Sequence, residues 1–161
     1  MSTWWKRFLI VAGALLAVGA VVFPLPSSGQ GKGERVIYMG AVEPKGGVTV
    51  DKEPHPGLPL PTGGGYVLKV PDPSGRWEVS AYQWSPATIV VQQGDRVTLE
   101  IVGINGEKHT GTIERYATAP FTVKRGRLTR VSFTADAPGI FRIHCDEHKP
   151  NMEGALVVLP R

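Results

Sequence analysis

The chain has 161 residues, with 18 Lys and Arg against 14 Asp and Glu, a formal charge of +4, and one cysteine. That length suits one domain plus accessory segments. After residue 30 there are sixteen basic against fourteen acidic residues, too even a balance for the concentrated basic face of a nucleic-acid binder, and one cysteine excludes an internal disulfide framework.

Residues 1–29 read as a signal peptide or N-terminal membrane anchor. Lys6 and Arg7 precede Phe8 to Phe23, an unbroken run of sixteen apolar and glycine residues. The run fits a signal-peptide core and is a little short of the roughly 20 residues of a comfortable span. The basic pair places the N-terminus on the cytoplasmic side and exports the remainder of the chain. Ser27, Ser28 and Gly29 are small enough for cleavage, while Pro24 and Pro26 make the site irregular, so cleaved signal and retained anchor both stay open. Export implies the periplasm or the outer face of the cytoplasmic membrane.

Residues 30–75 read as a Gly/Pro-rich linker. Proline lacks the donor that a sheet ladder needs and glycine weakens strand interiors. Only Arg35 to Val42 and Tyr66 to Val70 are apolar enough for short strands, and His55, set among prolines, reads as solvated. Residues 76–161 change to short alternating strands: Trp77 to Trp84, Thr88 to Gln92, Arg96 to Val102, Leu128 to Thr134, Ile140 to Cys145 and Ala155 to Leu159. Turns such as Gln93-Gly94-Asp95 separate them. In Arg96 to Val102 the residues Val97, Leu99 and Ile101 share a face. Such spacing predicts an all-β antiparallel sandwich or barrel. The basic run Lys124, Arg125, Arg127 and Arg130 reads as a solvated turn and strand edge.

The chemistry concentrates near the C-terminus. His144-Cys145-Asp146-Glu147-His148-Lys149-Pro150-Asn151-Met152 places the only cysteine three residues before a histidine and seven before a methionine. Thiolate, imidazole and thioether together suit copper cycling between Cu(I) and Cu(II), and a blue-copper site needs one further histidine. His109, just after the Arg96 to Val102 strand, is the natural candidate, from a loop at the same end of a sandwich. The predicted metal ligands are therefore His109, Cys145, His148 and Met152. His144 adjoins Cys145 on a strand and points to the opposite face. Asp146 and Glu147 carry harder oxygen donors than a thiolate site selects and read as loop polarity. Met39, Trp84 and Phe141 read as core.

Gln92-Gln93-Gly94-Asp95-Arg96-Val97, then His109, then Phe133-Thr134-Ala135-Asp136-Ala137-Pro138-Gly139-Ile140-Phe141, then Cys145, His148 and Met152 with Gly154-Ala155-Leu156-Val157-Val158, resemble the cupredoxin family over roughly residues 77–161. The stretch from Val131 to His148 is also similar to nitrosocyanin and to the copper domain of nitrous-oxide reductase. The resemblance implies a Greek-key β-sandwich holding one mononuclear type 1 copper that shuttles single electrons between a redox donor and an acceptor. It also implies electron exit through a partly exposed His148 ringed by apolar surface, for which Pro120, Pro150 and Met152 are candidates. A binuclear copper centre needs a second cysteine in the ligand loop, where Lys149 stands. A trinuclear cluster needs His-x-His pairs, which are missing. Nitrosocyanin-like sites carry a carboxylate upstream and a histidine in place of Met152.

No group is placed for acid–base or nucleophilic chemistry, so the expected role is an electron carrier rather than an enzyme. A periplasmic copper carrier or delivery protein, a nitrosocyanin-like redox enzyme and a metal-free binding module are the rival readings. Thr110, beside a predicted ligand, is expected to hydrogen-bond the neighbouring loop and hold the two in register. The membrane is a partner only if residues 1–29 are uncleaved.

Overall fold

The computed structural model describes residues 33–161, so the export segment lies outside the described residues. No helix among the described residues is long and apolar enough to cross a membrane. The strands are β1 (Glu34–Val42), β2 (Lys45–Thr49), β3 (Tyr66–Lys69), β4 (Arg76–Ala81), β5 (Gln83–Ser85), β6 (Thr88–Gln92), β7 (Arg96–Gly103), β8 (Lys108–Ile113), β9 (Ala117–Lys124), β10 (Leu128–Thr134), β11 (Gly139–Cys145) and β12 (Glu153–Leu159).

A four-stranded sheet runs β10-β7-β1-β5 and a five-stranded sheet runs β6-β12-β11-β8-β9. Both contribute to one apolar core: Met39, Ala41, Trp84, Val97, Leu99 and Ile101 from the first, and Ile89, Val91, Ile113, Val123, Ile143, Leu156 and Val158 from the second. Period-2 alternation produces this directly, since successive side chains on a strand point to opposite faces. In β7 the residues Val97, Leu99 and Ile101 are buried and the intervening positions are not. The all-β sandwich expected from the alternation is what forms. Most strand pairs are antiparallel, while β1 with β7 and β6 with β12 are parallel.

The segment read as linker contributes more than expected. Strand β1 lies between β7 and β5 in the four-stranded sheet, in register with β7 from Glu34 to Ala41. The sandwich therefore draws on residues well before position 76. A small third sheet, β2-β4-β3, also draws two of its strands from this segment. Between β2 and β3 the proline-rich stretch has no regular structure beyond an isolated bridge at Gly64.

The hairpin of β8 and β9 has no counterpart in the alternation read from the sequence, and it carries a predicted ligand. Two features hid it. Pro120 lies inside β9, yet β9 is the outer strand of its sheet, where a missing ladder donor is tolerated. Gly111 lies inside β8, where an added Cβ would collide with the Phe121 ring across the pair. The glycine lets Phe121 cross the hairpin.

Candidate metal centre

The register of β8 against β11 builds the site. Cys145 pairs with Gly111 and His144 with Thr112. Directly paired residues share a face, and residues two apart on a strand share it too. His109, two before Gly111, thus projects on the same side as Cys145, while His144 projects on the other. There His144 contacts the Thr112 hydroxyl at 3.0 Å and Asp146 at 3.4 Å. His109 is on a strand rather than in the expected loop, and it is fully buried.

His148 completes the group from the loop between β11 and β12. One ligand atom from each of His109, Cys145 and His148 lies within 4.8 Å of the others. His109 Nδ1 is 3.2 Å from His148 Nδ1, and Cys145 Sγ is 3.4 Å from His148 Nδ1. Ligands held at about 2.0–2.3 Å from a shared first-row ion, as in zinc sites, sit roughly 3–4 Å from one another, so the spacing fits one ion. Among the described residues no second such group occurs, and His55 joins none.

The two histidines are in protonation states suited to ligation, and the cysteine is not. His109 Nε2 lies 3.0 Å from the carbonyl of Asn105. A carbonyl only accepts, so Nε2 carries the proton and Nδ1 turns a lone pair toward His148. This is the arrangement by which a backbone acceptor fixes a ligating histidine's tautomer. Burial and the neighbouring His109 lower the pKa of His148 and keep its imidazole neutral. Burial, aided by the Glu147 carboxylate, pushes the Cys145 thiol up to about 11. In metal-free protein at neutral pH this sulfur is protonated, and copper binding must displace that proton.

Met152 is fully buried. Its carbonyl accepts from the Cys145 amide at 3.0 Å and its amide donates to the His148 carbonyl at 2.9 Å. The backbone thus fastens Met152 to both Cys145 and His148. It cannot belong to an exposed apolar ring around His148, whereas Pro120 and Pro150 are exposed.

Glu147 is more than loop polarity. Burial would raise its pKa, but donation from Thr110 and Lys108 overrides this and lowers it to about 2. The Thr110 amide and hydroxyl reach its two oxygens at 2.6 and 2.5 Å, and Lys108 Nζ lies 3.0 Å away. Asp146 N–H donates to the Thr110 carbonyl at 2.9 Å, so Thr110 does hold the two ligand-bearing segments in register. Glu147 Oε2 is 3.4 Å from Cys145 Sγ. With both oxygens engaged, Glu147 positions the cysteine rather than joining the donor group.

Three further features were not legible as part of the site. The Tyr82 ring lies flat on His148, with centroids 3.6 Å apart and planes 15° from parallel. Asn105 orients His109. Gly63, Gly64 and Gly65 lie against the backbone of Glu147 to Asn151, where an added Cβ at any of the three would approach within 2.5–2.6 Å of a carbonyl oxygen. Gly65 N–H donates to the Lys149 carbonyl at 3.0 Å. Conversely His55, expected in solvent, packs edge-on against Trp77 at 5.6 Å, its Nε2 shielded and without a hydrogen-bond partner.

A two-sheet sandwich with a His-Cys-His group at one end, two members buried and His148 partly exposed, defines a class of metal-binding β-protein. A family profile described as the cupredoxin-like domain matches residues 71–158, and the chain belongs to that family. Copper nitrite reductase from Nitrosomonas europaea is similar in structure, with a TM-score of 0.53 and 17% identity over 80% of this chain and 42% of that one. The multicopper oxidase mgLAC has a TM-score of 0.50 and 20% identity over 80% of this chain and 39% of that one. At such identities the likeness is one of fold, and the chain spans about two-fifths of the length of either protein. No curated protein sequence matches the chain. Family membership and the donor group together support copper binding and a copper-related redox role.

Proposed function

We propose that the chain is an exported blue-copper protein that passes single electrons between redox partners, with one type 1 copper that His109, Cys145, His148 and Met152 would hold. The observation that carries this reading is the largely buried donor group of His109, Cys145 and His148 built around the only cysteine. Copper supplies the redox chemistry, alternating between Cu(I) and Cu(II) by one electron. The chain supplies a soft donor set and a rigid frame. His109 is fixed from behind by Asn105, Cys145 is flanked by the Glu147 latch, and His148 is pressed against Tyr82. A site whose ligands are locked before the metal arrives needs little rearrangement when the metal changes charge. Residues 1–29 would deliver the domain outside the cytoplasm.

The test is metal analysis of the purified full-length protein alongside its visible spectrum. One copper per chain and an intense thiolate-to-copper charge-transfer band are expected, with the band abolished in Cys145→Ala while the sandwich stays folded. A coloured Cys145→Ala protein, or a wild type that holds no copper, sinks the reading. Rapid copper surrender to a chelator would instead indicate a delivery protein. A spectral change with azide would indicate an open coordination position and an enzyme.

A further inference from the structure

One residue far from the ligand motif is connected to both histidines. Glu43, just past the end of β1, is 6% exposed, yet it carries an ionisable carboxylate. Its N–H donates to Asn105 Oδ1 at 2.7 Å and its carbonyl accepts from Asn105 Nδ2 at 2.8 Å. The carbonyl of Asn105 in turn takes the proton of His109 Nε2. On the other side, burial and the Glu43 carboxylate raise the pKa of the Tyr82 phenol, whose ring covers His148. Asn151, in the ligand loop, donates through Nδ2 to the Tyr82 carbonyl at 2.6 Å, and Tyr82 N–H donates to the Gly65 carbonyl. Burying a carboxylate is costly unless its oxygens are satisfied, and here Lys45 at 2.9 Å and Ser80 at 3.0 Å satisfy them. An apolar residue of similar volume would serve mere stability at least as well.

We propose that Glu43 and Tyr82 form a bracket that fixes both imidazoles from one point and shields the metal position from ligand exchange. Glu43 is a positioning residue for His109 through its backbone and Asn105, and for His148 through its carboxylate and Tyr82. The bracket rests on the copper reading for its purpose, but its geometry exists without metal. It also explains why the Gly63–Gly65 strap crosses the ligand loop: the strap anchors the backbone of Tyr82 on one side and Lys149 on the other.

Two measurements on the full-length protein test this. In the copper-loaded form, transfer of Cu(I) to bathocuproine disulfonate is followed for the wild type, Tyr82→Leu, Tyr82→Phe and Glu43→Gln. Loss of an outer partner of a ligating histidine costs roughly 10–100-fold in metal affinity. Tyr82→Leu is therefore expected to release copper at least about tenfold faster, while Tyr82→Phe and Glu43→Gln, which keep the stacked ring but break the pairing of phenol and carboxylate, fall between. Equal rates for wild type and Tyr82→Leu overturn the bracket. In the metal-free form, proton NMR should show the His148 ring signals moved upfield by the Tyr82 ring, kept in Tyr82→Phe and lost in Tyr82→Leu. Unshifted His148 signals in the wild type overturn the bracket as well. A wild type that takes up no copper defeats the copper reading alone, and the metal-free signals still decide this one.

Discussion

Thr110 donates to both carboxylate oxygens of Glu147, its amide to Oε2 at 2.6 Å and its hydroxyl to Oε1 at 2.5 Å, so the residue after one histidine is latched to the residue before the other. The latch joins the strand carrying His109 to the loop that follows Cys145 and carries His148. It is a charged, short and doubly bonded contact, the kind that outweighs an ordinary surface pair.

Removing the latch should be visible in metal-free protein. Glu147→Ala deprives the Thr110 amide of its acceptor, at a cost of roughly 1–3 kcal/mol, which should lower the melting temperature by about 5 °C or more. The pH dependence has a definite sign. The folded pKa of about 2 lies below the ordinary 4.5, so the latch stabilises fully above about pH 4.5 and fades as pH falls toward about 2. Thermal melts of wild type and Glu147→Gln across that window check this, and the variant should show the shallower acid slope. Parallel curves would mean that Glu147 is not held as described.

Most strands after residue 76 and the grouping of His109, Cys145 and His148 were legible because both rest on local pattern. Alternation in β7 and β10 marks core faces residue by residue, and a solitary Cys145 followed by His148 and Met152 is a spacing that survives any register. His109 was legible as a candidate but not as a strand residue, since Gly111 and Pro120 weaken the signal of a hairpin that tertiary packing nevertheless forms. Glu43, Tyr82, Asn105 and Glu147 were not legible. Each acts through a partner 37 or more residues away in sequence, and only the folded register brings those pairs together. The Gly63–Gly65 strap was hidden for a related reason. A glycine run that lets backbone approach backbone has the same composition as one that is merely flexible.

Asp95 should dominate acid stability away from the metal site. It is fully buried and accepts from the Gln92 amide at 3.1 Å, the Gly33 amide at 3.2 Å, Arg35 at 3.3 Å and Arg161 at 2.6 Å. Burial works to raise its pKa, but the two amides and the two guanidinium groups prevail and hold it below the ordinary carboxylate value. Its contribution is therefore present above about pH 4 and lost as pH falls below that. Asp95→Asn keeps the shape and removes the charge, and we expect a loss of roughly 2–3 kcal/mol at neutral pH. Urea melts at pH 7 and pH 3 check it: the gap between variant and wild type should narrow in acid. A constant gap would show that the charge is not what matters.

Export is tested from the other end of the chain. A phosphatase reporter that is active only outside the cytoplasm, fused after Arg161, should be active, because Lys6 and Arg7 precede the apolar run. Mass spectrometry of the same protein distinguishes cleavage near Gly29 from a retained anchor. An inactive phosphatase fusion, alongside activity from a reporter that works only in the cytoplasm, would overturn the exported reading.

Met152 offers the sharpest separation of ligand from packing. Its backbone is bonded to both Cys145 and His148, so substitution of the side chain leaves the loop fastened. A thioether favours Cu(I), and a harder oxygen donor favours Cu(II). Met152→Gln should therefore lower the reduction potential and shift the charge-transfer band while copper stays bound. Met152→Leu removes the thioether without adding a polar group to a fully buried position and should raise the potential if the thioether is a donor. Voltammetry on both variants gives the answer. A methionine that only fills the core would lose stability in either variant, more so with Gln, whose amide would be buried without a partner, but it would not drive the potential in opposite directions. Shifts of the same sign, or none, would leave Met152 as a core residue and the axial position to another donor.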